Sequence, residues 1–297
     1  MLLKGEKQMY ELKISFFGPF ALSLGESVLK EDSQCLRKQW RLIKYLVLNR
    51  EREVERCELI DATFGYGSYS GEHEKGLNAL NALIHRARRT LEKAGLPVFI
   101  THRAGKYTVI LPENVRIDCE KFTALSRDIF SKSDLTVIRE KALEAMYLYG
   151  GFFLNGNYFD EKTRLSAEKY HADYRRIFSL LCGILRSDGD FSLIASISRR
   201  ATEVDPLCED FYIEYINALI LSGDVLGAKN AYLDACAFFE SKTSVIVSSA
   251  FKELGQKLDR QGDAVILIPK EHADKADAVS DTVSKMLDGA KVKISLI

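Results

Sequence analysis

The residues from Asn78 to Leu111, NALNALIHRARRTLEKAGLPVFITHRAGKYTVIL, combine side chains that could recognise a polyanion. Between Ile84 and Lys106 there are six cations and one acid, although the whole chain has a formal net charge of zero. Side-chain amides can hydrogen-bond the edge of adenine, a small apolar residue can contact the thymine methyl group, and arginines can bind phosphates. The segment therefore has the chemistry of a surface that contacts duplex DNA. The alternative is the solvated side of an ordinary amphipathic helix.

The apolar residues of this segment predict a helix with one buried face. Five of them recur at intervals of three and four residues, namely Leu77, Leu80, Ile84, Ala87 and Leu91. At about 100° per residue, the polar residues lie on the opposite side, with Asn81 and Arg88 at the edges of the apolar stripe. The candidate DNA-contacting residues of the helix are Asn78, Asn81, Ala82, His85, Arg86, Arg88, Arg89 and Lys93.

A β-hairpin is predicted directly after the helix. Gly95 marks the helix end, since glycine is favoured just beyond a helix C-terminus. The following VFITHRAGKYTVIL predicts two strands joined by a turn at Ala104 and Gly105. Arg103 and Lys106 would then lie at the hairpin tip, and they complete the set of candidate DNA contacts. The Gly- and Ser-rich stretch GYGSYSGEHEKG, residues 65–76, predicts a loop before the helix.

Other elements must position this helix and hairpin. The stretch LKISFFGPFALSLGESVLK, residues 12–30, alternates in polarity and contains turn residues, which predicts short strands. Apolar residues at helical spacing predict two further helices, over residues 38–49 and 55–64. The predicted order is a small sheet, three helices and a hairpin.

Composition limits the classes of protein that this chain can belong to. A chain of 297 residues, 46% hydrophobic and 28% charged, predicts two or three globular domains. No apolar run is long enough for a membrane span and no secretory signal is evident, so we expect a cytoplasmic protein without membrane contact. The six cysteines lie at least 22 residues apart, which favours reduced, mostly buried thiols. Nucleotide-binding loops, nucleophile elbows and zinc-protease motifs are not found, so we predict no catalytic residues, cofactor or metal.

The second half of the chain contains an internal repeat. Gly189 and Gly223, Asp190 and Asp224, and Ala201 and Ala235 are each 34 residues apart. This is the period of tetratricopeptide repeats, which are pairs of antiparallel helices. Each Gly-Asp is predicted to be a turn between two helices. Asp205-Pro206 is predicted to separate one repeat from the next, because proline cannot continue the preceding helix.

The front of the chain resembles the winged helix-turn-helix domain of the OmpR/PhoB type, as found in Streptomyces antibiotic regulatory protein (SARP) regulators. Three segments carry the resemblance: RKQWRLIKYLVLNREREVERCELIDATF, NALNALIHRARRTLEKAGL and ITHRAGKYTV. Phe64 stands where such proteins often have Trp, and Lys106 where a second Gly is frequent. The resemblance implies that the third helix enters the major groove and that the hairpin, the wing, contacts the adjacent backbone or minor groove.

The helical repeats resemble the bacterial transcriptional activator domain that follows the winged helix in this family. The junction RIDCEKFTALSRDI, residues 116–129, also matches, with an Asp before a helix that carries a buried Phe. The resemblance implies contacts with RNA polymerase and self-association, and it favours a homodimer on tandem direct repeats of double-stranded DNA.

The expected fold class is mainly α with a small β component, a winged helix-turn-helix followed by tetratricopeptide-like repeats. We expect a DNA-binding domain over residues 1–117, an activator domain over 118–260, and a strand-helix-strand tail over 261–297. The charge divides in the same sense, with residues 1–117 at net +5 from 19 Lys and Arg against 14 Asp and Glu, and the remainder at net −5. The expected function is that of a non-enzymatic, sequence-specific transcriptional regulator that acts as an activator. One alternative function is a protein interaction scaffold or signal-sensing module built on the tetratricopeptide-like repeats. Another is an enzyme or small-molecule sensor that uses the C-terminal unit.

Two regions of the sequence are open to more than one interpretation. The aromatic residues between Tyr147 and Phe159 favour a hydrophobic core, and the alternative is a groove for a partner or ligand. In the tail, strands are predicted over residues 264–268 and 291–297 and a helix over 275–287. This unit either docks on the helical repeats or begins a further domain.

Overall fold

The computed structural model describes residues 11–31, 37–242 and 247–261, together with strands over 264–268 and 292–296. Backbone contacts divide the chain into two compact units, Met1–Leu181 and Cys182–Ile297. The elements of the first unit, in chain order, are β1 (Leu12–Ser15), β2 (Ala21–Leu24), β3 (Ser27–Lys30), α1 (Arg37–Leu48), β4 (Val54–Glu55), α2 (Arg56–Phe64), α3 (His73–Lys93), β5 (Ile100–Arg103), β6 (Lys106–Val109), β7 (Val115–Ile117), α4 (Asp118–Ser131), α5 (Leu135–Leu148) and α6 (Glu161–Ser187), which contains the dividing residue.

A four-stranded sheet opens the first unit. Its strand order is β3-β2-β1-β7, with antiparallel pairs except for β7, which runs parallel to β1. Alternate residues of β1, Leu12 and Ile14, are buried, as expected for a sheet with one face on a core. The predicted short strands are therefore confirmed, and β7 returns the chain to the sheet after the hairpin.

Three helices and a second sheet follow. Strands β5 and β6 form the predicted hairpin, and β4 extends it to a three-stranded sheet of order β4-β6-β5. Helix α1 buries Trp40, Ile43, Leu46 and Val47, and α3 packs against both α1 and α2. The order of sheet, three helices and hairpin agrees with the prediction.

The start of α3 differs from the prediction. The sequence predicted a loop to Gly76, but the helix begins at His73. A side chain at Gly76 would place its Cβ 3.0 Å from the Cβ and Cγ atoms of Tyr69. Gly76 therefore lies inside α3 and does not belong to the preceding loop. Glycine is needed at this position because the Tyr69 ring packs directly on the helix backbone. The other end agrees with the prediction, since the Leu96 and Gly95 amides donate to the Leu91 and Glu92 carbonyls as in a Schellman motif.

Aromatic residues form much of the core of the first unit. The Phe17 ring centroid lies 4.5 Å from that of Tyr149, 5.4 Å from that of Phe122 and 6.3 Å from that of Phe153. Of the aromatic residues between Tyr147 and Phe159, Tyr149 and Phe153 are buried, which confirms the core interpretation for these two. Tyr147 and Phe152 are exposed, with 52% and 37% of their surfaces accessible.

The second unit contains the helical repeats. Its elements are α7 (Phe191–Val204), α8 (Glu209–Leu221), α9 (Val225–Glu240), α10 (Ser249–Gln261), β8 (Ala264–Ile268) and β9 (Val292–Leu296). Gly189 and Gly223 have φ angles of 73° and 90°, a left-handed conformation that glycine adopts readily. Asp190 and Asp224 then cap α7 and α9 by accepting from the Leu193 and Gly227 amides. The predicted Gly-Asp turns are confirmed.

The two tail strands pair in parallel, with Ala264 opposite Val292. The helix predicted over 275–287 lies outside the described residues.

Among the described helices, none is both long and apolar enough to cross a membrane. Of the described cysteines, Cys119, Cys182 and Cys208 are buried, whereas Cys57 is exposed, and all are free thiols.

Candidate nucleic-acid interface

Helix α3 presents a polar face opposite its buried stripe. Of the predicted stripe, Leu80, Ile84, Ala87 and Leu91 are buried, whereas Leu77 is half-buried. Leu83, which the sequence pattern did not identify, is also buried. The exposed candidates of the opposite face are Asn78, Asn81, Ala82, His85, Arg86, Arg89 and Lys93. The N-terminal part of this face is neutral and amide-bearing, and the C-terminal part is cationic.

Arg88 is positioned differently from the other helix candidates. It is half-buried, and its Nε and Nη2 atoms donate to the Ile100 carbonyl oxygen at 3.3 and 2.9 Å. Since Ile100 begins β5, this forked contact joins α3 to the hairpin. Arg88 therefore joins helix α3 to the hairpin.

The hairpin tip has the geometry of a tight two-residue turn. Ala104 and Gly105 have φ angles of 50° and 83°, both left-handed, as in a type I′ turn. Arg103 is exposed beside this turn, whereas Lys106 is half-buried. The register pairs Arg103 with Lys106, so the two cations lie side by side at the tip.

Lys106 is engaged by two carboxylates. Its Nζ atom lies 3.0 Å from Glu53 and 3.3 Å from Glu55, and these carboxylates raise the pKa of Lys106. Glu55 is in β4, which pairs with β6 and places Glu55 opposite Lys106. Sequence reasoning missed β4 because a strand of two residues has no detectable alternation.

Tyr107 connects the hairpin to the exposed face of α3, and sequence reasoning did not single it out. Its hydroxyl donates to Asn81 Oδ1 at 3.4 Å, and its ring stacks on His102 with centroids 4.5 Å apart. The residue is buried, and this burial raises the pKa of Tyr107. Because the Asn81 oxygen already accepts from Tyr107, the amide nitrogen is the part of Asn81 left to donate to a ligand.

Four cations of this surface are not neutralised within the described residues. The ion pairs found there do not involve Arg86, Arg89, Lys93 or Arg103. Unpaired arginine and lysine side chains on a helix and an adjacent hairpin suit contact with phosphates. Groups of three or more His, Cys, Asp and Glu residues that could hold a metal ion are not found among the described residues.

Comparison with known proteins bears on the fold. No family model matches the sequence, and a search of curated proteins found no match. Among solved structures, EmbR of Mycobacterium tuberculosis, in complex with a low-affinity phosphopeptide, is similar with a TM-score of 0.51 at 18% sequence identity. The match covers 93% of this chain and 71% of the EmbR chain. The expected fold class is thereby confirmed: the chain is mainly α with a small β component, a winged helix-turn-helix followed by helical repeats.

Proposed function

We propose that this chain is a sequence-specific DNA-binding transcriptional regulator that activates transcription, with α3 in the major groove and the hairpin beside it. The observation that carries the proposal is the exposed face of α3, where amides precede three cations that pair with no described carboxylate. The fold supports it too, since EmbR is a regulator of the SARP family.

The proposed contacts divide the surface into three roles. Asn78, Asn81, Ala82 and His85 face base edges, where amides and small side chains read sequence. Arg86, Arg89 and Lys93 contact phosphates, and Arg103 and Lys106 contact the adjacent backbone or minor groove. Arg88 fixes the angle between helix and hairpin through the Ile100 carbonyl.

We assign DNA binding to residues 1–117 and contacts with RNA polymerase to the helical module over 118–260. We further propose that two copies bind tandem direct repeats, because one winged helix contacts few base pairs. The tail over 261–297 receives no role. A cytoplasmic location follows from the proposed activity on DNA.

Binding of the full chain to duplex DNA tests this function directly. Sequences selected from a random pool would supply the operator, and its affinity would be measured against salt. Phosphate contacts by the four unpaired cations, Arg86, Arg89, Lys93 and Arg103, predict a slope of log K against log salt of about −3 to −4 per bound chain. Asn78→Ala should relax the preference at one base position, at a cost of about 1–3 kcal/mol.

Two outcomes would contradict the assignment. A folded chain that binds no DNA at low salt would exclude the DNA-binding function. If Asn78→Ala weakened binding to selected and random DNA by the same factor, Asn78 would not read a base.

A protein interaction scaffold is the second candidate, and exposed leucines on the repeats favour it. Leu226 and Leu233 of α9 have 71% and 63% of their surface exposed. Apolar side chains on an array of helices suit a protein partner. A chain without DNA affinity that forms a saturable complex with another protein through α9 would support this candidate.

A further inference from the structure

We propose that a small pocket in the first unit, beside α1, binds one small anion of the phosphate class. The pocket is lined by Glu31, Arg37, Arg41, Lys44, Asn157 and Phe159 and has a volume of about 50 Å³. A cavity with a volume of about 10–15 Å³ holds one water molecule. The space therefore suits a few waters or one inorganic-sized anion. The inference goes beyond the proposed function and does not depend on DNA binding.

Three cations of one helix face line this pocket. Arg37, Arg41 and Lys44 are four and three residues apart in α1, so their side chains lie on the same side of the helix. Glu31 is the one carboxylate among the lining residues, and it pairs with Lys44 at 2.5 Å. Three positive charges against one negative leave the lining at net +2, which a phosphate dianion would match.

One of the lining residues, Arg41, is held in place before any ligand arrives. The Arg41 Nε atom donates to the Ala62 carbonyl oxygen at 2.5 Å, and the guanidinium carbon lies 4.7 Å from the Phe159 ring centroid. Among the described residues, no acceptor is hydrogen-bonded to the two terminal nitrogens of Arg41. These nitrogens form the forked edge that binds two phosphate oxygens at once.

Lys44 is a buried cation that lines the same pocket. Only 4% of its surface is exposed, and its Nζ atom lies 5.6 Å from the Phe20 ring centroid. Burial lowers the pKa of Lys44 even though Glu31 opposes the shift, and the charges of Arg41 and Arg37 lower it further. Burial and the nearby Arg37 likewise lower the pKa of Arg41. An anion bound between these cations would relieve their mutual repulsion, and the crowding therefore favours a ligand of negative charge.

Equilibrium dialysis of the full chain with radiolabelled inorganic phosphate tests the site. We expect saturable binding of one phosphate per chain and a rise in Tm of about 2–4 °C at saturation. Arg37→Gln and Arg41→Gln should each weaken binding about tenfold or more, since each removes a charge-assisted contact. Unlabelled phenyl phosphate shows whether the pocket also binds a phosphate monoester. If it displaces the labelled phosphate, the site accepts monoesters as well. If it does not, the site is specific for free phosphate.

Two control variants show whether phosphate binds in this pocket or at other cations of the chain. Lys38→Gln makes the same charge change in α1, but Lys38 lies over the Phe64 ring and does not line the pocket. Arg89→Gln removes a cation from the exposed face of α3. Both should bind phosphate like the parent chain.

Three results would overturn the proposal. The first is no saturable phosphate binding, and the second is equal weakening by Lys38→Gln and Arg37→Gln. The third is equal competition by acetate and chloride, which would indicate general screening by salt. Because Arg41 also bonds to α2, the substitution Arg41→Gln can unfold the chain. In that case Arg37→Gln tests the proposal, since Arg37 is exposed.

Discussion

The Asp118 carboxylate accepts the backbone N–H of Phe16 on both oxygens, at 2.9 and 2.8 Å, across 102 residues of chain. The same carboxylate accepts the amides of Phe17 at 3.0 Å and Cys119 at 2.7 Å. One buried side chain therefore satisfies three backbone donors, two of them just beyond β1 and one in the first turn of α4. This contact joins the first sheet to the helices that follow it.

Asp118→Ala should lower the free energy of unfolding by about 2–5 kcal/mol, because it leaves several buried N–H groups without an acceptor. Asp134→Ala is the matched control. Asp134 also accepts two backbone amides, those of Thr136 and Val137, but at the exposed start of α5, where loss of a cap costs about 1 kcal/mol. Urea unfolding of the three proteins gives both values. Equal losses at the two positions would show that burial of Asp118 adds nothing.

The same carboxyl should make stability depend on pH. Burial raises the pKa of Asp118 from 3.8 to about 6, and the backbone donors oppose part of this shift. Between those two values the folded state holds a proton that the unfolded state releases. The contribution of Asp118 to stability therefore falls as pH rises through this window, by about 2–3 kcal/mol in all, and is constant above it.

Unfolding free energies measured at intervals from pH 4 to 7, for the parent chain and Asp118→Asn, isolate this contribution. The parent should lose stability relative to Asp118→Asn as pH rises. A gain in the same comparison would mean that the backbone donors outweigh burial and hold the pKa below its ordinary value.

Local patterns predicted the parts of this fold that depend on local spacing. Three predicted features depend on residues within a few positions of one another: four of the five stripe residues of α3, the turn at Ala104 and Gly105, and the repeated Gly-Asp caps. Each agrees with the structure. Contacts between distant residues have no such signature. The bonds from Arg88 to Ile100 and from Tyr107 to Asn81 depend on how the hairpin folds back on the helix. Sequence spacing could place these side chains on a face, but it could not show which were already bonded.

Arg88 and Arg89 are neighbours with different expected roles on DNA. Arg89→Ala should weaken binding to all sequences and reduce the salt slope by about one, because it removes one phosphate contact. Arg88→Ala should instead lower stability by about 1 kcal/mol through loss of the bond to the Ile100 carbonyl, and leave the salt slope unchanged. Thermal unfolding and DNA titrations at several salt concentrations measure both effects. A reduced slope for Arg88→Ala with unchanged stability would show that Arg88 contacts a phosphate and does not stabilise the fold.

Lys106 must exchange its carboxylate partners for phosphate if the hairpin tip contacts DNA. Glu53→Gln and Glu55→Gln should therefore strengthen DNA binding, since each removes a competing acceptor and a negative charge near the phosphates. Glu113→Gln is a control for the charge change, because this exposed residue follows the hairpin and has no ion pair with Lys106. Titrations at one fixed low salt concentration compare the three. If all three variants gained affinity equally, the gain would reflect net charge, and Lys106 would not be a DNA contact.

Cooperative binding to tandem sites should depend on the exposed leucines of the helical repeats. Leu226 and Leu233 are seven residues apart in α9, hence on the same side of the helix, and most of their surface is exposed. Neighbouring Ile216 and Phe239 are buried in the core of the same unit, so replacing the two exposed leucines should leave the fold intact. We expect the double variant Leu226→Ser and Leu233→Ser to bind one site as the parent does, and to lose cooperativity on two direct repeats spaced by one or two helical turns of DNA. Leu165→Ser, at a residue of α6 that is 51% exposed, should keep cooperativity. Footprinting on one-site and two-site duplexes measures both quantities, and light scattering of the complexes gives the number of bound chains. A single protected site holding one chain, for the parent protein on the two-site duplex, would exclude the homodimer and leave α9 free for another partner.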